Sequence, residues 1–186
     1  MLAIVLALAT PVQDAKPVRV LIETDAGEIE AEIDTVHAPI TAANFLRYVD
    51  AGLFDGGRFF RTVRPDNQVD KPVKIAVIQA AGSRERRAEF FSAIPLERTS
   101  VTGLSHKDGT LSMARAAPDT ARESFSICVG DQPSLDYGGA RQPDGQGFAA
   151  FGRVVRGMDV VRKIQMSPAT GETLTPAIAI ARIRRL

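Results

Sequence analysis

Two long polar side chains stand among apolar residues: Arg61 in Phe59-Phe60-Arg61-Thr62-Val63 and Gln79 in Val77-Ile78-Gln79-Ala80. The neighbours of both are of types that favour strands and burial. A guanidinium in such company costs free energy unless it is paired or used. Read locally, Arg61 is a surface-facing side chain on a half-exposed strand. The other reading is a cation that belongs to a site.

Other chemistries find little material. The chain has two histidines, His37 and His106, and one cysteine, Cys128. A serine or cysteine nucleophile therefore has few possible bases. His37 precedes Pro39 and suits a loop or cap. His106, in Ser105-His106-Lys107-Asp108, reads as an exposed loop residue. Cys128 lies in the apolar run Phe125-Ser126-Ile127-Cys128-Val129 and suits a buried structural thiol. With a single cysteine there is no disulfide framework and no paired-cysteine metal pattern. No phosphate loop, dinucleotide fingerprint or His-Glu-x-x-His is present. What remains is a binding pocket, or catalysis by positioning and hydrogen bonding, with no cofactor and no metal.

The elements that must position Arg61 and Gln79 are mostly short strands. Val18 to Thr24 and Glu28 to Ile33 are strand-like, the second strictly alternating, with Gly27 closing the turn between them. Pro39 suits the first turn of a helix in which Phe45, Tyr48 and Val49 form an apolar stripe, and Gly52 stops it. Asp66 to Pro72 is a polar loop, and Gly82 to Asp108 is irregular, with Arg84-Glu85-Arg86-Arg87 as a solvated charged cluster. Strands resume at Thr110–Ala114, Ser124–Val129 and Phe148–Val155. Met158–Ile164 is a short amphipathic helix, and Ala177–Ile183 a closing strand. The pattern predicts a mainly β domain, as a barrel, with two helices.

Length and composition agree with one ordinary globular domain: 186 residues, 45% hydrophobic and 24% charged. A formal charge of +1 gives no reason to propose nucleic acid as a partner. Met1 to Ala9, MLAIVLALA, is too short for the ~20 residues of a spanning helix, so no stable membrane insertion is expected. It suits the apolar core of a secretory signal with Ala7-Leu8-Ala9 as a cleavage site, although the first basic residue is Lys16. Residues 1–17 are thus expected to be signal segment and linker, and 18–186 the folded domain. A periplasmic or secreted location follows, with the cytoplasm as the alternative.

Seven ordered segments carry a resemblance. Ala38-Pro39…Asn44-Phe45, Gly52-Leu53-Phe54-Asp55-Gly56, Phe59-Phe60-Arg61, Gly109 to Arg115, Phe125-Ser126-Ile127, Leu135-Asp136 and Phe151 to Val161 together closely resemble a cyclophilin-type peptidyl-prolyl cis-trans isomerase. The resemblance spans roughly Val18 to the C-terminus, interrupted at 66–74 and 82–108. It implies a closed eight-stranded antiparallel barrel capped by two α-helices, acting as a monomer on X-Pro bonds of proline-containing polypeptides.

The resemblance also implies roles. Arg61 matches the catalytic arginine. Gln79 matches the glutamine that contacts substrate backbone, and Ala114 and Arg115 match the backbone-binding pair. Val77 and Leu135 match lining positions of the proline pocket, with Ala76 at a position where the family has phenylalanine. Several positions depart from the pattern. Phe60 replaces a histidine, Arg115 an asparagine, and Ser134 a tryptophan. Ser124 stands for a glutamine, Ser126 for the pocket-floor phenylalanine, and Phe148 for the histidine on the pocket wall. Two outcomes are open: a repacked pocket of similar apolar volume, or a wider one with slower turnover. The second reading of the whole is a cyclophilin-like binding or chaperone module with weak or no isomerase activity.

Overall fold

The computed structural model describes residues 17–186. The expected signal segment at 1–9 and its cleavage site lie outside these. Strands β1 (Val18–Thr24) and β2 (Gly27–Ile33) form the opening hairpin, in register from Val18 opposite Ile33 to Thr24 opposite Gly27. Gly27 has φ of 137°, a conformation open to a residue without Cβ. The Thr24 hydroxyl fastens the turn by accepting from the Ala26 N–H and donating to the Gly27 carbonyl. Along β2, Ile29, Ala31 and Ile33 are buried, as the alternation requires.

Helix α1 (Pro39–Asp50) starts at its proline and buries Phe45, Leu46, Tyr48 and Val49. Its first-turn donors need an acceptor. The Ile40 and Thr41 N–H groups find the Glu97 carboxylate at 3.0 and 2.6 Å, a favourable anion at the positive end of the helix. The chain continues through β3 (Arg58–Val63), β4 (Val77–Ala81), the one-turn α2 (Thr99–Thr102), β5 (Thr110–Met113), β6 (Phe125–Cys128) and β7 (Ala149–Arg156). It ends with α3 (Met158–Gln165), the two-residue β8 (Ala169–Thr170) and β9 (Thr173–Arg185).

The strands run β1-β2-β7-β5-β6-β4-β3-β9, and pairing of β9 back onto β1 closes the ring. Every pairing is antiparallel, and closure leaves none of these eight strands as an edge. This is the expected eight-stranded barrel, with β8 added as a hairpin on β9. Three helices rather than two accompany it, because Arg98 to Gly103 winds one turn in the segment whose sequence shows no helical stripe. The closing strand is also longer than its apolar run, since β9 pairs in turn with β8, β3 and β1.

α1 follows the Ile33 end of β2 and α3 follows the Arg156 end of β7, which lies beside Glu30. The two helices therefore close opposite ends of the barrel. Inside, Phe45 of α1 meets Phe54, Phe125 and Phe151 with ring centroids 5.2–5.3 Å apart. Each buried phenylalanine contributes about 1.5–3 kcal/mol from area removed from water, and each such ring pair about 0.5–1.5 kcal/mol more. The rigid barrel is the platform on which the site is built.

Candidate active site

A bulge sets the arginine. Opposite β4, Phe59 pairs with Ala80 and Arg61 with Gln79, so Phe60 has no partner in that ladder; the ladder to β9 skips it too. Phe59 is fully buried in the core. Regular alternation would turn Arg61 inward as well, and the extra residue turns it out. On the flanking strands, core residues Ile78 and Ala80 of β4, Phe125 and Ile127 of β6, and Leu111 and Met113 of β5 face the interior. Their alternate neighbours Val77, Gln79, Ser126, Ser112 and Ala114 therefore lie on the outer face. Four adjacent strands thus present one surface, with Arg61 at its β3 side.

A cavity of about 440 Å³ occupies this surface, lined in part by Arg61, Val77, Gln79, Ala114, Arg115, Ser126, Leu135 and Phe148. Eight of the nine site residues expected from the sequence thus meet in one place. The ninth, Ser124, does not line the cavity; its hydroxyl accepts from Gln79 Nε2 at 3.0 Å and donates to the Ala80 carbonyl. Ile75 lines the cavity, whereas Ala76 and Ser134 do not.

Arg61 is anchored from two sides. Its Nε and Nη2 donate to Glu172 Oε2 at 2.8 and 2.5 Å, and its Nη1 donates to Gln79 Oε1 at 2.9 Å. Three of the five N–H donors of a guanidinium are so engaged. One hydrogen on each Nη has no partner among the described residues, and a third of the side chain is exposed. The arginine is held still and still able to donate. Glu172, in the turn between β8 and β9, lies 111 residues from Arg61 and carries no local signal that could have singled it out.

The apolar wall beside it is a cluster separate from the barrel core: Val63, Ile75, Val77, Cys128 and Leu135, with Phe148 packed against them. Burial pushes the Cys128 thiol well above its usual range, so it acts here as a small hydrophobe. Arg115 is a buried cation. Its side chain is 1% exposed, bound bidentately to Asp144 at 2.7 and 2.9 Å, with Nε on the Gly147 carbonyl. The guanidinium carbon lies 5.1 Å from the Phe148 ring centroid. The Arg115 bonds and a backbone N–H from Gln146 hold the Asp144 carboxyl at about 2. Phe148 is thereby clamped between a cation and the wall, and the pocket keeps an aromatic despite the serine at 126.

His106 corrects the expectation of an exposed loop residue. It is 1% exposed and sits in a polar line, with Nδ1 2.6 Å from Asp136 Oδ1 and Nε2 2.8 Å from Ser112 Oγ. A carboxylate only accepts, so Nδ1 carries the hydrogen and neutral Nε2 accepts from the Ser112 hydroxyl. Burial lowers the imidazole pKa, opposed in part by Asp136. The order of groups is that of a Ser-His-Asp triad. However, β5 is hydrogen-bonded on both sides, so its N–H groups cannot form the oxyanion hole that acyl transfer needs. The line fixes Ser112 in the cavity lining. Its members are too far apart in sequence, 30 residues from His106 to Asp136, for a local pattern to reveal. His37 is an exposed loop residue as expected, 2.8 Å from Asp34 Oδ2.

A closed barrel with an anchored arginine beside an apolar groove defines a site that binds and polarises. A family model described as cyclophilin type peptidyl-prolyl cis-trans isomerase matches residues 19–185. A peptidyl-prolyl cis-trans isomerase of Acinetobacter baylyi is 36% identical over 149 residues, covering 80% of this chain and 72% of that protein. Peptidyl-prolyl cis-trans isomerase A of Dickeya dadantii is 35% identical over 146 residues, covering 78% and 70%. The chain belongs to the cyclophilin-type peptidyl-prolyl cis-trans isomerase family. In fold it is similar to a Cryptosporidium parvum cyclophilin crystallised in the presence of the dipeptide Ala-Pro. That match has a TM-score of 0.69 at 20% identity, covering 89% of this chain and 97% of the other. No described helix is long and apolar enough to cross a membrane.

Proposed function

We propose that this domain accelerates rotation about X-Pro bonds of proline-containing polypeptides, as a monomer, with Arg61 as the catalytic residue. The observation that carries this is the anchored guanidinium, with N–H donors left over, at the edge of an apolar groove. An amide resists rotation by about 18–20 kcal/mol because the nitrogen lone pair is delocalised into the carbonyl. As the bond twists, the lone pair localises on nitrogen and becomes an acceptor. A donor fixed at that nitrogen bonds the twisted state better than either planar state, which is what lowers a barrier. Because Arg61 is already oriented by Glu172 and Gln79, little reorganisation is needed at that moment.

The wall of Val77, Leu135 and Phe148 receives the proline ring while the carbonyl side turns. Gln79, Ala114 and Arg115 border the path of the substrate backbone, with Ser124 holding Gln79 and Ser126 at the floor. No proton transfer, metal or cofactor enters this scheme. A protease-coupled peptide assay tests it: cis-to-trans conversion is accelerated by the wild type and returns near background in Arg61→Ala. Equal, near-background rates in both would leave a peptide-binding module. Residues 1–9 are proposed as the core of an export signal, tested by N-terminal sequencing of the native protein, where an intact Met1 counts against cleavage.

A further inference from the structure

Two loops meet over the Arg61 side of the groove, and a buried amide joins them. Gln68, 2% exposed, donates to the Arg64 and Ile75 carbonyls and accepts from the Ile75 N–H, folding residues 64–75 back on themselves. The same Gln68 oxygen accepts from Arg141 Nη1 at 2.8 Å, and that nitrogen also donates to the Val73 carbonyl at 2.7 Å. Arg141 belongs to the loop after Leu135, so one side chain ties the two loops together.

Both hydrogens on Arg141 Nη1 are committed to this clasp. Its Nε–H and its two Nη2 hydrogens have no partner among the described residues, and the side chain lines the cavity. Nε and Nη2 form the edge of a guanidinium that takes a carboxylate with two parallel bonds. No carboxylate of the described residues forms an ion pair with Arg141. Glu172, whose charge favours the Arg141 cation, is committed to Arg61. Lys71 adds a further positive charge to the cavity lining, while Arg115 is already matched by Asp144. Burial and the neighbouring Arg61 charge both press against the Arg141 cation. The rim therefore holds more positive than negative charge, with an open bidentate fork.

We infer that the Arg141 fork receives a carboxylate side chain next to the proline, so that acidic X-Pro segments are the favoured substrates of this domain. This rests on the isomerase reading and specifies its substrate class. A Lys- or Arg-flanked proline meets the same rim with repulsion.

The test uses exchange NMR on matched peptides carrying Glu, Gln or Lys on either side of one X-Pro bond. At low salt the wild type turns over the better-placed Glu peptide at least about fivefold faster in kcat/KM than its Gln counterpart, and Lys slower than Gln. The advantage shrinks at 0.5 M salt, as screening of a partly exposed pair requires. In Arg141→Gln the Glu/Gln ratio falls to near one. Equal rates on Glu and Gln peptides by the wild type at low salt overturn the inference without touching the isomerase reading, and need no variant to fold. If no peptide is accelerated, the isomerase reading falls. Titration of the same labelled peptides then decides the fork alone, and equal affinity for Glu and Gln overturns it.

Discussion

Arg61 and Gln79 lie directly opposite one another on β3 and β4 because Phe60 is bulged out of the ladder between them. The same displacement joins their side chains by a 2.9 Å bond from Nη1 to Oε1. One inserted residue thus decides that the arginine stands on the outer wall with a partner rather than inside the barrel without one. Were Phe60 paired in regular alternation instead, Arg61 would fall on the face that buries Phe59.

In the proposed mechanism Arg61→Ala removes the donor to the prolyl nitrogen, and loss of a single such donor costs on the order of 10²-fold. That loss is expected in kcat/KM in the protease-coupled assay, with circular dichroism unchanged because the side chain is partly exposed. Arg61→Lys keeps the charge but cannot reach Glu172 and Gln79 together, so it is expected to recover only a minor part. A lysine variant as active as wild type would show that charge alone suffices.

Glu172→Ala leaves the arginine in place but frees Nε and Nη2. Misplacement of a catalytic group reduces turnover more than binding. The expectation is a fall of about tenfold, borne by kcat with KM little changed. Glu172→Gln still offers an acceptor oxygen and should lie between. A change confined to KM would place Glu172 on the substrate rather than behind Arg61.

How far the sequence reaches is visible in these residues. The opening hairpin with its turn at Gly27 and helix α1 follow from short-range periodicity, and the order of motifs around Arg61 points to the face they share. Glu172 and the His106–Asp136 pair are brought in by β9 closing on β3 and by a loop folding back over β5, which no local window contains. Gln68 is a polar residue in a polar loop, and only the fold shows that its amide is buried and satisfied. His106 departs from the exposed loop residue its sequence suggests. A polar type suggests exposure, but a charged partner, the half-buried Asp136, lets the imidazole sit inside.

The aromatic trade between positions 126 and 148 can be tested as a cycle. Phe148 packs on Leu135 and Val77 and carries Arg115 over its ring. Phe148→Ala should lower kcat/KM about tenfold, the equivalent of about 1.4 kcal/mol, mostly through KM. Ser126→Phe alone crowds a wall that already has its ring. The double variant should regain part of the loss, because the ring at 126 then faces the vacated space. Strictly additive losses in the double variant would mean that the two positions do not share one pocket.

His106 makes a prediction in stability rather than rate. Burial holds the imidazole neutral below its ordinary pKa, with Asp136 opposing the shift only in part. The unfolded chain therefore takes up a proton first as pH falls through about 6.5. The stabilisation is complete above that value and declines toward the lower folded pKa, since the unfolded state binds more protons across that window. Free carboxylates titrate lower, near 4, and leave the interval from pH 7 to 5.5 to histidine. Thermal unfolding should show a Tm that is flat from pH 8 to 7 and falls by pH 5.5. His106→Asn should have a lower Tm throughout but a shallower slope over this interval. An unchanged slope would assign the pH dependence elsewhere, and a steeper one would mean that His106 is charged in the fold, with Ser112 accepting from it.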